Sequence, residues 1–213
     1  MKKRLWMTFI FVGLIASVGS AKLIAEEDRS FAVKNPLALV DSHKGVVLKT
    51  GVAAHSEGDI AVTEGTIDIE FTLPHPAKTI WPKMKDFNQW QNGYGFYYDR
   101  VVGDEENGNL VYLSKKPNNR GVGGAYTVRK VIPEHLIYLD SVPSPTFSGH
   151  NIFHLTENNG ITTINVYMEH TWRLPGKTEA EARTFAKTAV GRATKFWQEH
   201  FIPDLRTLVN NGK

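Results

Sequence analysis

Cysteine is absent from all 213 residues, which removes disulfides, thiol nucleophiles and thiolate metal sites together. Stability must therefore come from an ordinary packed core. A lasting excess of charge is missing too. Lys2, Lys3 and Arg4 account for three of the 25 basic side chains, and residues 1–21 hold none of the 22 acidic ones. The remainder of the chain is formally neutral, so the pI near 9.0 is no electrostatic footprint for nucleic acid. A long hydrophobic run is also lacking, because the stretch from Leu5 to about Val18 falls short of the ~18 to 20 residues that span a bilayer comfortably. There is no internal repeat, no low-complexity tract and no Gly-x-Ser-x-Gly elbow of a serine hydrolase.

That short apolar run sits between a basic start and the small residues Gly19, Ser20 and Ala21, which is the three-part layout of a secretory signal peptide. Cleavage after Ala21 and a periplasmic or secreted location are expected, with an uncleaved N-terminal membrane anchor as the alternative. About 190 residues rich in Trp, Tyr and Phe then suffice for a single core. The expected organisation is a signal peptide over 1–21, an N-terminal extension over 22–62 packed on the domain, and one domain over 63–213. The extension includes a short helix at Leu23 to Phe31 and a brief apolar run at Val46, Val47 and Leu48 that ends at Gly51.

Thr66 to Leu73 alternates cleanly, with Ile67, Ile69, Phe71 and Leu73 on one face, and reads as a half-buried strand. Pro74 and Pro76 stop it, and Pro76 is suited to opening the helical pattern of Ile80, Trp81, Met84, Phe87 and Trp90. Pro82 should break or kink that helix. Strands are expected at Tyr97 to Val102, Leu110 to Lys115, Ala125 to Ile132 and Leu136 to Ser141, separated by turn residues. Asn158, Asn159 and Gly160 mark a hairpin. Strict alternation through its two arms places Asn151, Phe153 and Leu155 on one face with Ile164, Val166, Met168, His170 and Trp172. Asn151 and His170 are then polar intruders on an apolar face, while His150 and His154 lie on the other. From Thr178 to about Val209 a helical stripe runs through Ala182, Phe185, Ala186, Ala189, Val190, Ala193, Phe196 and Trp197. Thr178 with Glu181 fits a capping box, and Pro203 should kink the helix near its end.

Strand, Pro-opened helical segment, antiparallel meander and long closing helix together resemble the START-like (SRPBCC) superfamily, which includes polyketide cyclase/dehydrase-like proteins and lipid-transfer domains. The resemblance rests on Phe71-Thr-Leu-Pro-His-Pro76 with Trp81 and Asp86-Phe-Asn-Gln-Trp90, on Tyr126 to Pro133 running into Leu136-Ile-Tyr138, and on Ala182 to Leu208. It covers roughly residues 63 to 209. It implies an α+β helix-grip fold, a curved antiparallel sheet wrapped around a long C-terminal helix, with ligand space between the two. Pro82 and the N-terminal extension depart from the family's pattern. The Gly121-Val-Gly-Gly124 cluster is similar to the glycine-rich loop of plant pathogenesis-related members, but no Gly-Lys-Ser/Thr follows, and it reads as a turn before a strand.

On that fold Asn151, Phe153, Met168, His170, Trp172, Phe185 and Ala189 are the expected ligand-binding residues. The small helix residues opposite large sheet residues leave open whether this space is a cavity or close packing. Asn151 and His170 either orient a guest or are satisfied internally by each other, by backbone or by water. The loop Val142 to Gly149 places Phe147 as a lid at the cavity mouth. His150 and His154, about 13 Å apart on one strand face, have the spacing of surface residues rather than of metal ligands. No catalytic residue, metal or cofactor is expected. The partner is a hydrophobic small molecule or lipid, without nucleic acid and with transient contact to a membrane surface. Two functions follow: a binding or transport module, or alternatively a polyketide cyclase/dehydratase-like enzyme using the same cavity.

Overall fold

The computed structural model describes residues 38–43, 45–85, 97–102, 111–115, 122–142 and 144–211. The signal peptide expected over residues 1–21, the helix expected at Leu23 to Phe31, and the positions of Phe87, Trp90 and Gly121 lie outside the described residues. In chain order the elements are β1 (Ala38–His43), β2 (Val46–Glu57), β3 (Ile60–Leu73), α1 (Ala77–Met84), β4 (Tyr97–Val102), β5 (Val111–Lys115), β6 (Val122–Ile132), β7 (Leu136–Ser141), β8 (Phe147–Asn158), β9 (Ile161–Pro175), α2 (Glu179–Phe196), a π-helical turn (Trp197–Phe201) and α3 (Ile202–Asn210). Among the described residues the strands form one antiparallel sheet in the order β1-β2-β3-β9-β8-β7-β6-β5-β4. The result is the α+β helix-grip arrangement, a curved sheet plus a long C-terminal helix. Register shifts in β1, β4, β5 and β6, such as the bulge at Arg129 between Val128 and Lys130, are the local bends that let a sheet curve.

The hairpins follow from their turn residues. Asn159 (φ 53°) and Gly160 (φ 75°) both adopt the left-handed region between β8 and β9, as a two-residue primed turn requires. Between β2 and β3 only the first turn residue, Gly58 (φ 64°), adopts that region, with Asp59 following it, so β3 begins at Ile60 rather than at Thr66. Residues 38–57 are thereby not an extension laid on the domain. They are two strands of its sheet, with β2 paired to β3 from Val46↔Phe71 to Glu57↔Ile60, and Leu48 is wholly buried. Val122, Gly123 and Gly124 are likewise strand residues of β6, opposite Lys115 and Ser114, and not a turn.

One face of the sheet carries Leu48, Ile67, Ile69, Phe71, Leu73, Phe153, Leu155, Ile164 and Val166 into the core. The helices supply Ala182, Ala186, Val190, Phe196, Trp197, Phe201, Ile202 and Leu205 against it. Burying each large side chain of this set contributes about 1.5–3 kcal/mol. Helix α2 starts with the expected capping box: Glu181 N–H donates to Thr178 Oγ1 (3.3 Å), and Thr178 N–H donates to the Glu181 carboxylate (2.9 Å). Its helical course continues through Gly191, then widens into the π turn directly before Pro203, which sits in the first turn of α3. A wider turn there accommodates a residue that has no N–H to give to the preceding turn. Helix α1 retains Pro82 inside it and is not broken by it. Pro76 is its N-cap and offers no side-chain acceptor. Instead Glu157 of β8 reaches across and accepts from Ala77 N–H (2.9 Å). Among the described residues no helix is long and apolar enough to cross a membrane.

Candidate functional site

The β8–β9 register agrees with the alternation argument: Phe147↔Trp172, Gly149↔His170, Asn151↔Met168, Phe153↔Val166 and Leu155↔Ile164 are directly opposed. These pairs share the helix-facing side of the sheet, and they divide into two environments. Towards the turn, Phe153 (2% exposed) and Met168 (6% exposed) belong to the closed core. Phe153 there packs on Trp197 and Phe201, with ring centroids 5.9 and 6.4 Å apart. Towards the open end the rings form a ladder. Phe147 lies 5.3 Å from His170 and 6.0 Å from Trp172, His170 lies 5.8 Å from Trp172, and Trp172 meets Phe185 of α2 at 5.6 Å. All but the tilted Phe147–Trp172 pair are edge-to-face, a geometry that adds about 0.5–1.5 kcal/mol per pair beyond burial.

Phe147 is thus a strand residue held in the ladder. The connection before it is a tight turn in which Ser144 N–H donates to the Phe147 carbonyl (2.9 Å) and Ser144 Oγ accepts from Phe147 N–H (3.0 Å). The loop expected over residues 142–149 is shorter than the sequence suggested, and Phe147, expected in it as a lid, opens β8 instead.

Two glycines that sequence reasoning passed over make the ladder possible. A Cβ at Gly149 would fall 2.5 Å from the Glu169 carbonyl oxygen and closer still to His170 Cδ2, so the imidazole lies over the glycine. A Cβ at Gly65, opposite His170 on β3, would stand 2.7 Å from Val190 Cγ2 and 3.0 Å from Trp172 Cζ3. The missing side chain lets α2 and the indole close on the sheet. The available signal was a glycine within a strand pattern, which marks close approach of neighbours.

His170 keeps some exposed surface, but its Nε2 atom is shut off from solvent and has no hydrogen-bond partner among the described residues. Burial, seconded by repulsion from the nearby His150 ring, lowers its pKa from 6.5 to about 4. The ring is therefore neutral at ordinary pH, accepting at one nitrogen and donating at the other. Asn151 Oδ1 is equally buried and without a partner among the described residues, one diagonal step from His170 on the same face. Orphaned buried polar atoms cost about 1–3 kcal/mol each, so this pair is either served by water or waits for a guest.

Beyond Phe185 the surface opens into a groove of about 630 Å³ lined by Leu174, Lys177, Glu181, Thr184, Phe185, Thr188, Ala189 and Arg192. Phe185 is 44% exposed there. Of the seven expected ligand-binding residues, Phe185 and Ala189 line this groove, Trp172 backs Phe185, His170 and Asn151 lie further in along the face, and Phe153 and Met168 are core. Leu174, Lys177 and Arg192 were not anticipated, because nothing local to the strand end or the helix pattern says that they border one space.

His150 faces the other side of the sheet, its ring 6.1 Å from Tyr138 and 5.8 Å from Tyr167. Its register neighbours are Asp140 and Glu169, and they share a shallow depression of about 260 Å³. Among the described residues no group of three or more His, Asp or Glu side chains is placed to hold a metal.

No protein-family model and no curated protein matches the sequence. Solved structures match it in fold. An aromatase/cyclase from a Streptomyces species superposes with a TM-score of 0.51 at 15% identity, over 70% of this chain and 93% of the other. A protein from Rhodobacter sphaeroides gives a TM-score of 0.50 at 12% identity, over 76% of this chain and 99% of the other. At these identities the likeness is one of fold.

Proposed function

We propose that this helix-grip protein of START-like, polyketide cyclase-type fold holds a hydrophobic, ring-bearing small molecule against the helix-facing side of its sheet, and that it acts on that molecule as a cyclase- or dehydratase-like enzyme. The observation that carries the binding reading is His170: a neutral imidazole with a buried, unpartnered Nε2, set in a ladder of aromatic rings beside the equally unpartnered Asn151. A few convergent polar atoms in an apolar surface orient a guest. Transport without chemistry was the first expectation from sequence. Two things favour catalysis over it: the aromatase/cyclase among the similar folds, and an imidazole that stays uncharged and can polarise a carbonyl by donating a hydrogen bond. The signal-like N-terminus supports action after export, in the periplasm or outside the cell.

The test separates binding from turnover. Purified protein is incubated with poly-β-ketone or hydroxylated polycyclic compounds, with bound ligand followed by native mass spectrometry and product by chromatography. The enzyme reading expects His170→Leu to abolish product while some binding survives. Binding without turnover by wild type would return the protein to the carrier reading, and absence of both would end the proposal.

A further inference from the structure

We propose that the groove beside α2 takes an anionic amphiphile, a hydrophobic body bearing one carboxylate or sulfonate, and that Arg192 is its anchor. This rests on the binding reading above and names the chemical class of the guest.

Glu181, Phe185, Thr188 and Arg192 are spaced four, three and four residues apart, so they form one stripe along α2, which borders the groove with Leu174 and Ala189. The charges at the two ends are not equivalent. At the N-terminal end Lys177 donates to Glu181 (3.1 Å), and Glu181 also holds the helix cap through Thr178. That end is internally compensated and carries a carboxylate that stays ionised. In the middle, the Thr184 and Thr188 hydroxyls donate back to the carbonyls of Ala180 (2.8 Å) and Thr184 (3.0 Å), which leaves little unmet polarity. Their neighbours Phe185, Ala189 and Leu174 are apolar. Arg192, at the far end, has neither a carboxylate nor a carbonyl partner among the described residues, whereas Lys195 one turn on is matched with Glu199 at 3.7 Å.

An apolar strip ending in one unanswered guanidinium is complementary to a hydrophobic acid. Arg192 follows Phe185 by seven positions, about 10 Å along the helix axis, which is the length of a two-ring aromatic body. Glu181 at the opposite end repels an anion and so fixes the direction in which the ligand lies. A planar guanidinium suits the bidentate geometry of a carboxylate or sulfonate.

Two fluorescent probes with a matched aromatic body test this: 8-anilinonaphthalene-1-sulfonate, which is anionic, and N-phenyl-1-naphthylamine, which is neutral. Dissociation constants are measured for the wild type, Arg192→Gln, Arg192→Lys and Phe185→Ser, with circular dichroism confirming that each variant is folded. The expected result is about a tenfold loss of sulfonate-probe affinity in Arg192→Gln, partial recovery in Arg192→Lys, and a change of less than twofold for the neutral probe. Phe185→Ser should weaken both probes. Sulfonate-probe affinity should fall with added salt in the wild type and hardly at all in Arg192→Gln. Equal effects on the two probes, or no effect on either, would overturn the anchor while leaving hydrophobic binding intact. If neither probe binds the wild type, the anchor and the binding reading fall together.

Discussion

His170 shows what one buried residue contributes to stability. Its ring titrates near 4 in the folded protein and near 6.5 when unfolded, so between those values the unfolded chain takes up a proton that the folded chain refuses. Stability is thus full above about pH 6.5 and declines as pH falls towards 4, by at most roughly 3 kcal/mol. His170→Leu removes that slope along with an orphaned nitrogen. The variant should melt at or slightly above wild type at pH 7 and clearly above it at pH 4.5, and parallel melting curves across this range would refute the buried neutral ring. Gly149→Ala tests the neighbouring position. Its new methyl meets the backbone oxygen of Glu169 as well as the imidazole, so a loss of roughly 1–3 kcal/mol in urea unfolding is expected. Combining it with His170→Leu should leave most of that loss in place, since a backbone oxygen cannot swing aside.

Among the elements, α2 matters most because it forms the wall opposite the sheet. Its start depends on the reciprocal Thr178–Glu181 cap, and Thr178→Ala should cost about 1 kcal/mol by chemical denaturation. Its distance from the sheet depends on Gly65. Adding a methyl there presses on Val190 and the Trp172 indole, both side chains that can shift. Gly65→Ala should therefore destabilise by roughly 1–3 kcal/mol, with much of the loss recovered in Gly65→Ala/Val190→Ala. A double-mutant cycle that finds the two changes strictly additive would show that the helix does not rest on this glycine. The capping box, the β8–β9 turn and the inner-face alternation were all legible in sequence, because each depends on residues within a few positions of one another. The Glu157 contact to the start of α1 was not, since its two ends lie 80 residues apart.

At the scale of the molecule, the sheet runs through residues that the sequence pattern assigned to an extension. A chain beginning at Asp59 would lose β1 and β2, expose the whole length of β3 as an edge, and uncover the core where Leu48 and Val46 now pack. Such a chain should be insoluble or molten, without a cooperative melting transition. A well-folded product would show that the two strands are dispensable. What the sequence by itself determined is the class of fold and which face of each hairpin arm looks inward. The fold class followed from the resemblance carried by Phe71 to Pro76, Trp81 and the closing helix, and the inward faces from periodicity and turn chemistry, which are local and repeat along the chain. Which inward residues become closed core and which border open space was decided only by tertiary structure. Phe153 and His170 sit on the same face of one hairpin, yet Trp197 and Phe201 of the distant helical turn seal the first, while Gly149 and Gly65 leave room for the second. The groove at Phe185 and Arg192 exists because β9 and α2 meet there, and a contact between elements carries no period for a sequence to display.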